Sequence, residues 1–207
     1  MLIYKNNYLT ILLTDNKYIF MFRDYNNNKD IIKTFLKNLP NKYDKEEILN
    51  ITIYAEEINT LESLDILNIE KCQEIFLFLM KQIKELEKYN LTIINYALKD
   101  ILYFKINGKY SFYYLNNKHI SPIKDGRLLI NKLFIKNEFS SPELNNIKEI
   151  PNNKLFKQTS YWSLAKIIIH CLKKIDKNLE DIKYSRLYWS LERCLKENPL
   201  HRYLIFI

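Results

Sequence analysis

Few side chains in this 207-residue chain could do chemistry, and they are scattered. Cys72, Cys171 and Cys194 could supply thiolates, and His119, His170 and His201 could supply imidazoles. No pairing of these six has the short ligand spacing of a metal site. The cysteines are odd in number and fall in apolar, helix-patterned contexts. They read as buried thiols of a reducing compartment, not as a disulfide framework. Gly108 and Gly126 are the only glycines. Neither lies in the first sixty residues, so no flexible early turn can bring backbone amides onto a phosphate. Among the acids, Asp100 could attract a cation, but it reads first as a solvated or helix-capping carboxylate. Glu143 is set in Ser141-Pro142-Glu143, in a chain with five prolines.

The net charge is +8, with lysines and acids interspersed along the chain. A basic chain can meet nucleic acid, anionic lipid or acidic partners. Interspersion favours a solvated lysine-rich surface, and no stretch has the basic and aromatic spacing of an RNA-recognition module. The start, MLIYKNNYLT, lacks the apolar core of a signal peptide. LAKIIIHCL, residues 164 to 172, is too short to span a membrane and contains a lysine. The expectation is a soluble intracellular protein with no membrane partner.

The elements that must position these residues follow from hydrophobic patterning. With 47% hydrophobic and 14% aromatic residues, the chain can bury a real core. YLTILLT and KYIFMFR predict a hairpin turning at Asp15-Asn16. An asparagine-rich loop, DYNNNKD, leads to a short helix from Ile31 to Leu39, stopped before Pro40. Leu49 to Ile58 predicts a further strand running into an acidic connector. Beyond it Ile69, Cys72, Phe76, Leu79, Ile83 and Leu86 recur at steps of three and four, the stripe of a long helix. ILYFKINGKYSFYYL predicts a second hairpin turning at Asn107-Gly108. Two helices follow. Tyr161 to Lys174 carries Leu164, Ile168 and Leu172, and Ser185 to Lys196 carries Tyr188, Leu191 and Leu195.

This order of elements resembles the protein-kinase fold, and three motifs carry the resemblance. Ser141-Pro142-Glu143 resembles the Ala-Pro-Glu that closes the kinase activation segment. SYWSLA, Ser160 to Ala165, resembles the Asp-x-Trp-Ser-x-Gly that opens the family's central buried helix. RCLKENPLHR, Arg193 to Arg202, resembles the closing pattern Cys-Leu-x-x-x-Pro-x-x-Arg. The resemblance runs from about Ile51 to the C-terminus and is best after Phe139. The asparagine- and lysine-rich style is also similar to divergent kinase-like proteins of large DNA viruses. It implies an α+β, two-lobed fold: a reduced strand-rich N-lobe over residues 1–60 and a mainly helical C-lobe over residues 61–207. It also implies an ion pair between Glu143 and Arg202, a guanidinium gripping a carboxylate bidentately. Trp162 is expected to pack beneath the activation-segment remnant.

The same resemblance locates the catalytic parts, and each is degraded. Phosphoryl transfer needs positioned phosphates, a metal on a carboxylate and a residue near the hydroxyl proton. Lys17 and Arg23 are the candidate phosphate-orienting cations, but the helix DIIKTFLKNL has no glutamate to partner them. In the catalytic loop, Ile93 to Lys99, the proton-accepting aspartate position holds Asn95, a neutral amide, or Ala97 if the alignment slips by two residues. Losing general-base assistance costs roughly 10²–10⁴-fold in rate. Asp100 replaces a metal-binding asparagine. At the Asp-Phe-Gly site the chain reads Leu115-Asn116-Asn117, where Asn116 supplies no net charge to magnesium. Only about ten residues join Lys174 to the last helix, leaving little room for a substrate platform.

These readings predict a pseudokinase that binds a partner protein or serves as a scaffold. The first alternative is a divergent active Ser/Thr protein kinase transferring phosphate from ATP, with Asp100 on a non-standard magnesium site. The second is a basic nucleic-acid-binding protein. Nucleotide binding without catalysis stays open through an adenine slot near Ala55 to Ile58, with Arg23, Glu56, Glu57 and Ile58 as cofactor-binding candidates. No metal ligand set is predicted. The compartment implied is the cytoplasm, of a host cell, or a virion. The predicted core is Leu79, Ile83, Leu102, Trp162, Leu164, Ile168, Leu191 and Leu195.

Overall fold

The computed structural model describes residues 1–15, 17–38, 43–47, 50–131, 135–152 and 154–205. The turn residue Asn16, the helix end expected at Leu39-Pro40 and the strand start expected at Leu49 lie outside them. In chain order the chain forms β1 (Leu2–Lys5), β2 (Leu9–Thr14), β3 (Lys17–Phe22), α1 (Tyr25–Asn38), β4 (Tyr43–Glu47), β5 (Asn50–Ile53) and β6 (Glu57–Thr60). Next come α2 (Ile69–Glu87), β7 (Leu91–Ile93), β8 (Ile101–Ile106), β9 (Lys109–Tyr114), β10 (Ile120–Lys124) and β11 (Arg127–Leu128). The last are α3 (Pro142–Asn145), α4 (Thr159–Lys174) and α5 (Arg186–Cys194). The protein is thus mixed α+β, with small antiparallel sheets and, among the described residues, five α-helices.

The chain gathers into two compact units that interleave in sequence. Met1–Leu64 and Leu98–Asn117 form one, and Asp65–Ala97 with Lys118–Ile207 form the other. The first unit holds a five-stranded sheet ordered β1-β2-β3-β5-β4 and a three-stranded sheet ordered β6-β8-β9. The first expected hairpin is present, with Leu9 facing Phe22 and Thr14 facing Lys17. Alternation on β3 turns Tyr18, Phe20 and Phe22 inward. Phe20 stacks on Phe35 of α1 at 5.6 Å between ring centroids and on Phe104 of β8 at 5.9 Å. Tyr113 of β9 meets Phe104 and Phe35 edge-on, at 5.3 and 5.5 Å. One aromatic core therefore joins both sheets to α1.

Two expectations are corrected here. DYNNNKD is not a loop, because α1 begins at Tyr25. Asparagines weaken helix interiors but suit first turns, where their amides find local acceptors. Asn27 donates to the Asp24 carboxylate at 2.8 Å, and Asn28 donates to the Asp24 carbonyl at 2.9 Å. The strand expected to run to Ile58 is two strands in different sheets, β5 pairing with β3 and β6 with β8. β1, unread in the sequence, pairs with β2. The second hairpin forms as expected. Asn107 and Gly108 have φ of 51° and 71°, the double left-handed conformation whose twist suits a two-residue hairpin turn.

The second unit is built on α2 and α4, which pack together, with the small sheet β7-β10-β11 beside them. Cys72, Phe76, Leu79, Ile83 and Leu86 are all buried on α2, while Ile69 at its start is exposed. Asn68 caps α2, its side chain accepting from the Lys71 amide at 2.7 Å. On α4, Leu164, Ile168 and Leu172 are buried as the spacing predicts. The buried face of α5 is Leu187, Leu191 and Cys194. Tyr188, Trp162 and Leu195 are half-buried rather than central. Ser185 caps α5, so the helix starts at Arg186 and ends before Leu195, and its buried stripe runs through Leu187, Leu191 and Cys194 with Tyr188 at the border.

Candidate functional site

Ser141-Pro142-Glu143 forms the start of α3. Ser141 accepts from the Leu144 amide at 3.2 Å, and Pro142 occupies the first helical turn, where its missing N–H costs nothing. Leu144, behind them, is fully buried with Ile94, Leu128 and Ile130. Glu143 is thereby fixed at a rigid helix start. Arg202 follows the single turn Pro199–His201, itself capped by Asn198, whose side chain accepts from the Leu200 amide at 3.0 Å.

The two ends meet. Arg202 donates through Nη1 and Nη2 to the two carboxylate oxygens of Glu143, the second at 3.2 Å. Its Nε donates to the Lys196 carbonyl at 2.6 Å and its Nη2 to the Glu197 carbonyl at 2.9 Å. The guanidinium carbon lies 4.9 Å from the Trp162 ring centroid. The Arg202 side chain is fully buried, whereas Glu143 keeps 18% exposure. A bidentate carboxylate, two carbonyls and an aromatic face together compensate a charge that could not otherwise be buried. Removing one partner of such a pair typically costs about 3–5 kcal/mol.

Asn95 lies in the same unit. It is fully buried, and its Nδ2 donates to the Ile135 carbonyl at 3.2 Å. Two residues on, Asn137 donates to the Tyr96 carbonyl at 2.6 Å. From the other side Ser163 of α4 donates to the Ile94 carbonyl at 3.3 Å. Residues 94–96 are therefore tied down by the 135–137 strand of chain and by α4. Asn95 Oδ1 is buried with no hydrogen-bond partner among the described residues, and as a neutral amide the side chain is no base near neutral pH.

Asp100 and Asn116 belong to the first unit and are brought together there. Asp100 is buried, so the solvated or helix-capping role expected of it is corrected. One carboxylate oxygen accepts from the Tyr4 hydroxyl at 2.9 Å, the other from Asn116 Nδ2 at 2.7 Å. Asn6 extends the network. It donates to the Tyr4 oxygen at 3.1 Å and to the Leu115 carbonyl at 2.9 Å, and it accepts from the Tyr8 and Leu9 amides. Burial first, then the Asp100 charge, pushes the Tyr4 hydroxyl far above its ordinary range, so it remains a proton donor. The carboxylate serves as an anchor for β1. Sequence reasoning missed Tyr4, Asn6 and Asn137, because short polar contacts across long chain separations leave no periodic trace.

The cofactor-binding candidates are engaged within β6 and its neighbours. Glu56 is exposed, accepts from the Gly108 amide at 2.8 Å and lies 3.7 Å from Lys105 Nζ. Glu57 accepts from the Tyr103 hydroxyl. Ile58 is buried and faces Phe104 in the ladder. Arg23 is exposed and makes no ion pair among the described residues; its amide donates to the Tyr8 carbonyl at 2.7 Å. Lys17 places its ammonium 5.7 Å from the Tyr54 ring centroid. A hub unread in the sequence lies between α2 and α4. Glu87 accepts from the Tyr161 hydroxyl at 2.7 Å, with Lys84 at 3.1 Å and Lys157 at 3.6 Å.

Among the described residues, no group of three or more His, Cys, Asp and Glu could hold a metal ion. No described helix is long and apolar enough to cross a membrane. All three cysteines are free and buried, with burial pushing Cys72 up to about 11 and Cys171 and Cys194 up to about 12. Such thiols supply no thiolate near neutral pH. No family model matches the chain, and no curated protein matches it.

Proposed function

We propose that the chain is a degenerate kinase-like domain, a two-lobed pseudokinase whose work is to bind a partner protein or to scaffold one. The observation that carries this reading is a contrast. The Glu143–Arg202–Trp162 cluster, which organises the helical part, is fully assembled, while Asn95, at the position resembling the proton acceptor, is a buried amide under the Ile135 carbonyl. Asp100 adds to the contrast, since both its oxygens already accept from Tyr4 and Asn116. A resemblance of fold does not give a function, so the inactive reading rests on these site residues.

The test is transfer of radiolabelled phosphate from ATP by purified protein with Mg²⁺ or Mn²⁺. The expected result is no transfer above a denatured control. Robust transfer that disappears in Asp100→Asn, which keeps the side chain's size, would overturn the proposal in favour of an active kinase. A thermal-shift titration with ATP accompanies it. Metal-dependent stabilisation would revive the nucleotide site, because a ligand that binds only the folded state raises its stability with concentration.

A further inference from the structure

The exposed face of α5 carries a pattern that the kinase-like motifs do not use. Arg186, Trp189 and Arg193 stand three and four residues apart, so they form one stripe along the helix. Trp189 is 44% exposed, and its ring meets Tyr188 edge-on at 5.2 Å. Tyr203, 46% exposed, lies beside the stripe's end, its ring centroid 5.4 Å from the Arg193 guanidinium carbon. Arg186 is exposed and makes no ion pair among the described residues. Arg193 has only a 3.8 Å contact with Glu192, both groups being substantially exposed. A pair of that kind holds a guanidinium by about 0–1 kcal/mol, so it yields to a better acid.

We infer that this stripe docks an acidic amphipathic helix of a partner protein. Two guanidiniums flank an exposed indole, and their Cα atoms are separated by about 10 Å along the helix axis. A partner helix with glutamates seven residues apart and leucines between them repeats that spacing. Its carboxylates meet Arg186 and Arg193 in forked pairs, and its apolar stripe covers Trp189. Trp, Tyr and Arg are the side chains that concentrate binding energy at such contacts. A nucleic-acid strand fits less well. Glu192 stands beside Arg193 and Lys196 and interrupts the basic stripe, so a continuous run of phosphates would meet a carboxylate that a helix with spaced glutamates can avoid.

The inference names the partner surface of the scaffold proposed above and rests on that reading. The experiment is fluorescence-anisotropy binding of the full chain to a labelled helical peptide with Glu at i and i+7 and Leu at i+3 and i+4. A Lys-for-Glu peptide and labelled oligo-dT are the comparison probes. The Glu peptide is expected to bind, and the Lys peptide is not. Trp189→Ala and Arg186→Glu should each weaken binding about tenfold or more, with the melting temperature unchanged in Arg186→Glu, whose side chain is exposed. Absence of binding by the Glu peptide, indifference to both substitutions, or tighter binding of oligo-dT lost in the same variants would each overturn the inference. Phosphate transfer by the same preparation would sink the inactive reading and leave the peptide result standing on its own.

Discussion

Glu143→Ala tests the clamp directly. The substitution leaves the Arg202 guanidinium buried, removes its two carboxylate contacts, and keeps the Lys196 and Glu197 carbonyls and the Trp162 face. Breaking a buried pair from one side costs about 3–5 kcal/mol, most of it the stranded charge. Because Glu143 retains 18% exposure, water can reach the vacated space, which points to the lower end, about 3 kcal/mol. In a chain of this size that is a fall of roughly 6–12 °C in melting temperature. Arg202→Met removes the charge with the fork. Glu143→Ala added to Arg202→Met should then cost little more, giving a coupling of about 2–3 kcal/mol in the double-mutant cycle.

The readout is built in. Trp162 and Trp189 are the two tryptophans of the chain, and both lie in the unit that holds the clamp. Tryptophan emission during urea unfolding therefore follows that unit, and Trp162 in particular sits against the guanidinium. If Glu143→Ala shifts stability by less than about 0.5 kcal/mol, the size of an ordinary surface change, the clamp is not structural and the argument from it fails.

Two further expectations concern acids and thiols. Asn95→Asp restores the carboxylate of the motif that the loop resembles but sets it in a fully buried position under a carbonyl oxygen. It should destabilise the protein by about 3 kcal/mol or more and restore no phosphate transfer; a stable, active variant would refute the closed geometry. Alkaline stability should fall from about pH 9 upward. Unfolded thiols release protons there, while folded Cys72, Cys171 and Cys194 hold theirs to about 11 or 12, so the unfolded state binds fewer protons across that window. Tyr4, raised in the same direction, adds to the loss above its unfolded value. Urea midpoints compared at about pH 8 and about pH 10.5 check this, and an unchanged midpoint would contradict it.

What the sequence made legible was whatever repeats locally. The steps of α2 and α4 and the Asn107-Gly108 turn are each set by a few neighbouring residues, and they stand as the patterning predicts. The asparagine run before Ile31 misled because the same side chain serves loops and helix starts equally well. β6 misled for a different reason. Nothing near Glu57 announces that its partner is Lys105, and an antiparallel pair across some fifty residues carries no local period. The α5 face was misread because Tyr188 and Leu195 are apolar but border the buried stripe of Leu187, Leu191 and Cys194, and Leu195 falls after the helix end.

The candidate site divides along the same line. Glu143 and Arg202 could be paired from the sequence because both lie in stretches that resemble known motifs, and the forked contact needs only those two side chains to arrive. The fate of Asp100 could not be read, because an aspartate beside a strand is by itself as fit for a metal as for a hydroxyl. Its role is decided by Tyr4, ninety-six residues away, which donates to one oxygen while Asn116 fills the other. Asn95 follows the same rule through Ile135. Both Asp100 oxygens accept from side chains and Asn95 Nδ2 donates to backbone, while Asn95 Oδ1 is buried with no hydrogen-bond partner among the described residues. On the reading proposed above, Asn95→Asp would not by itself supply a working base, because the side chain is fully buried under the Ile135 carbonyl.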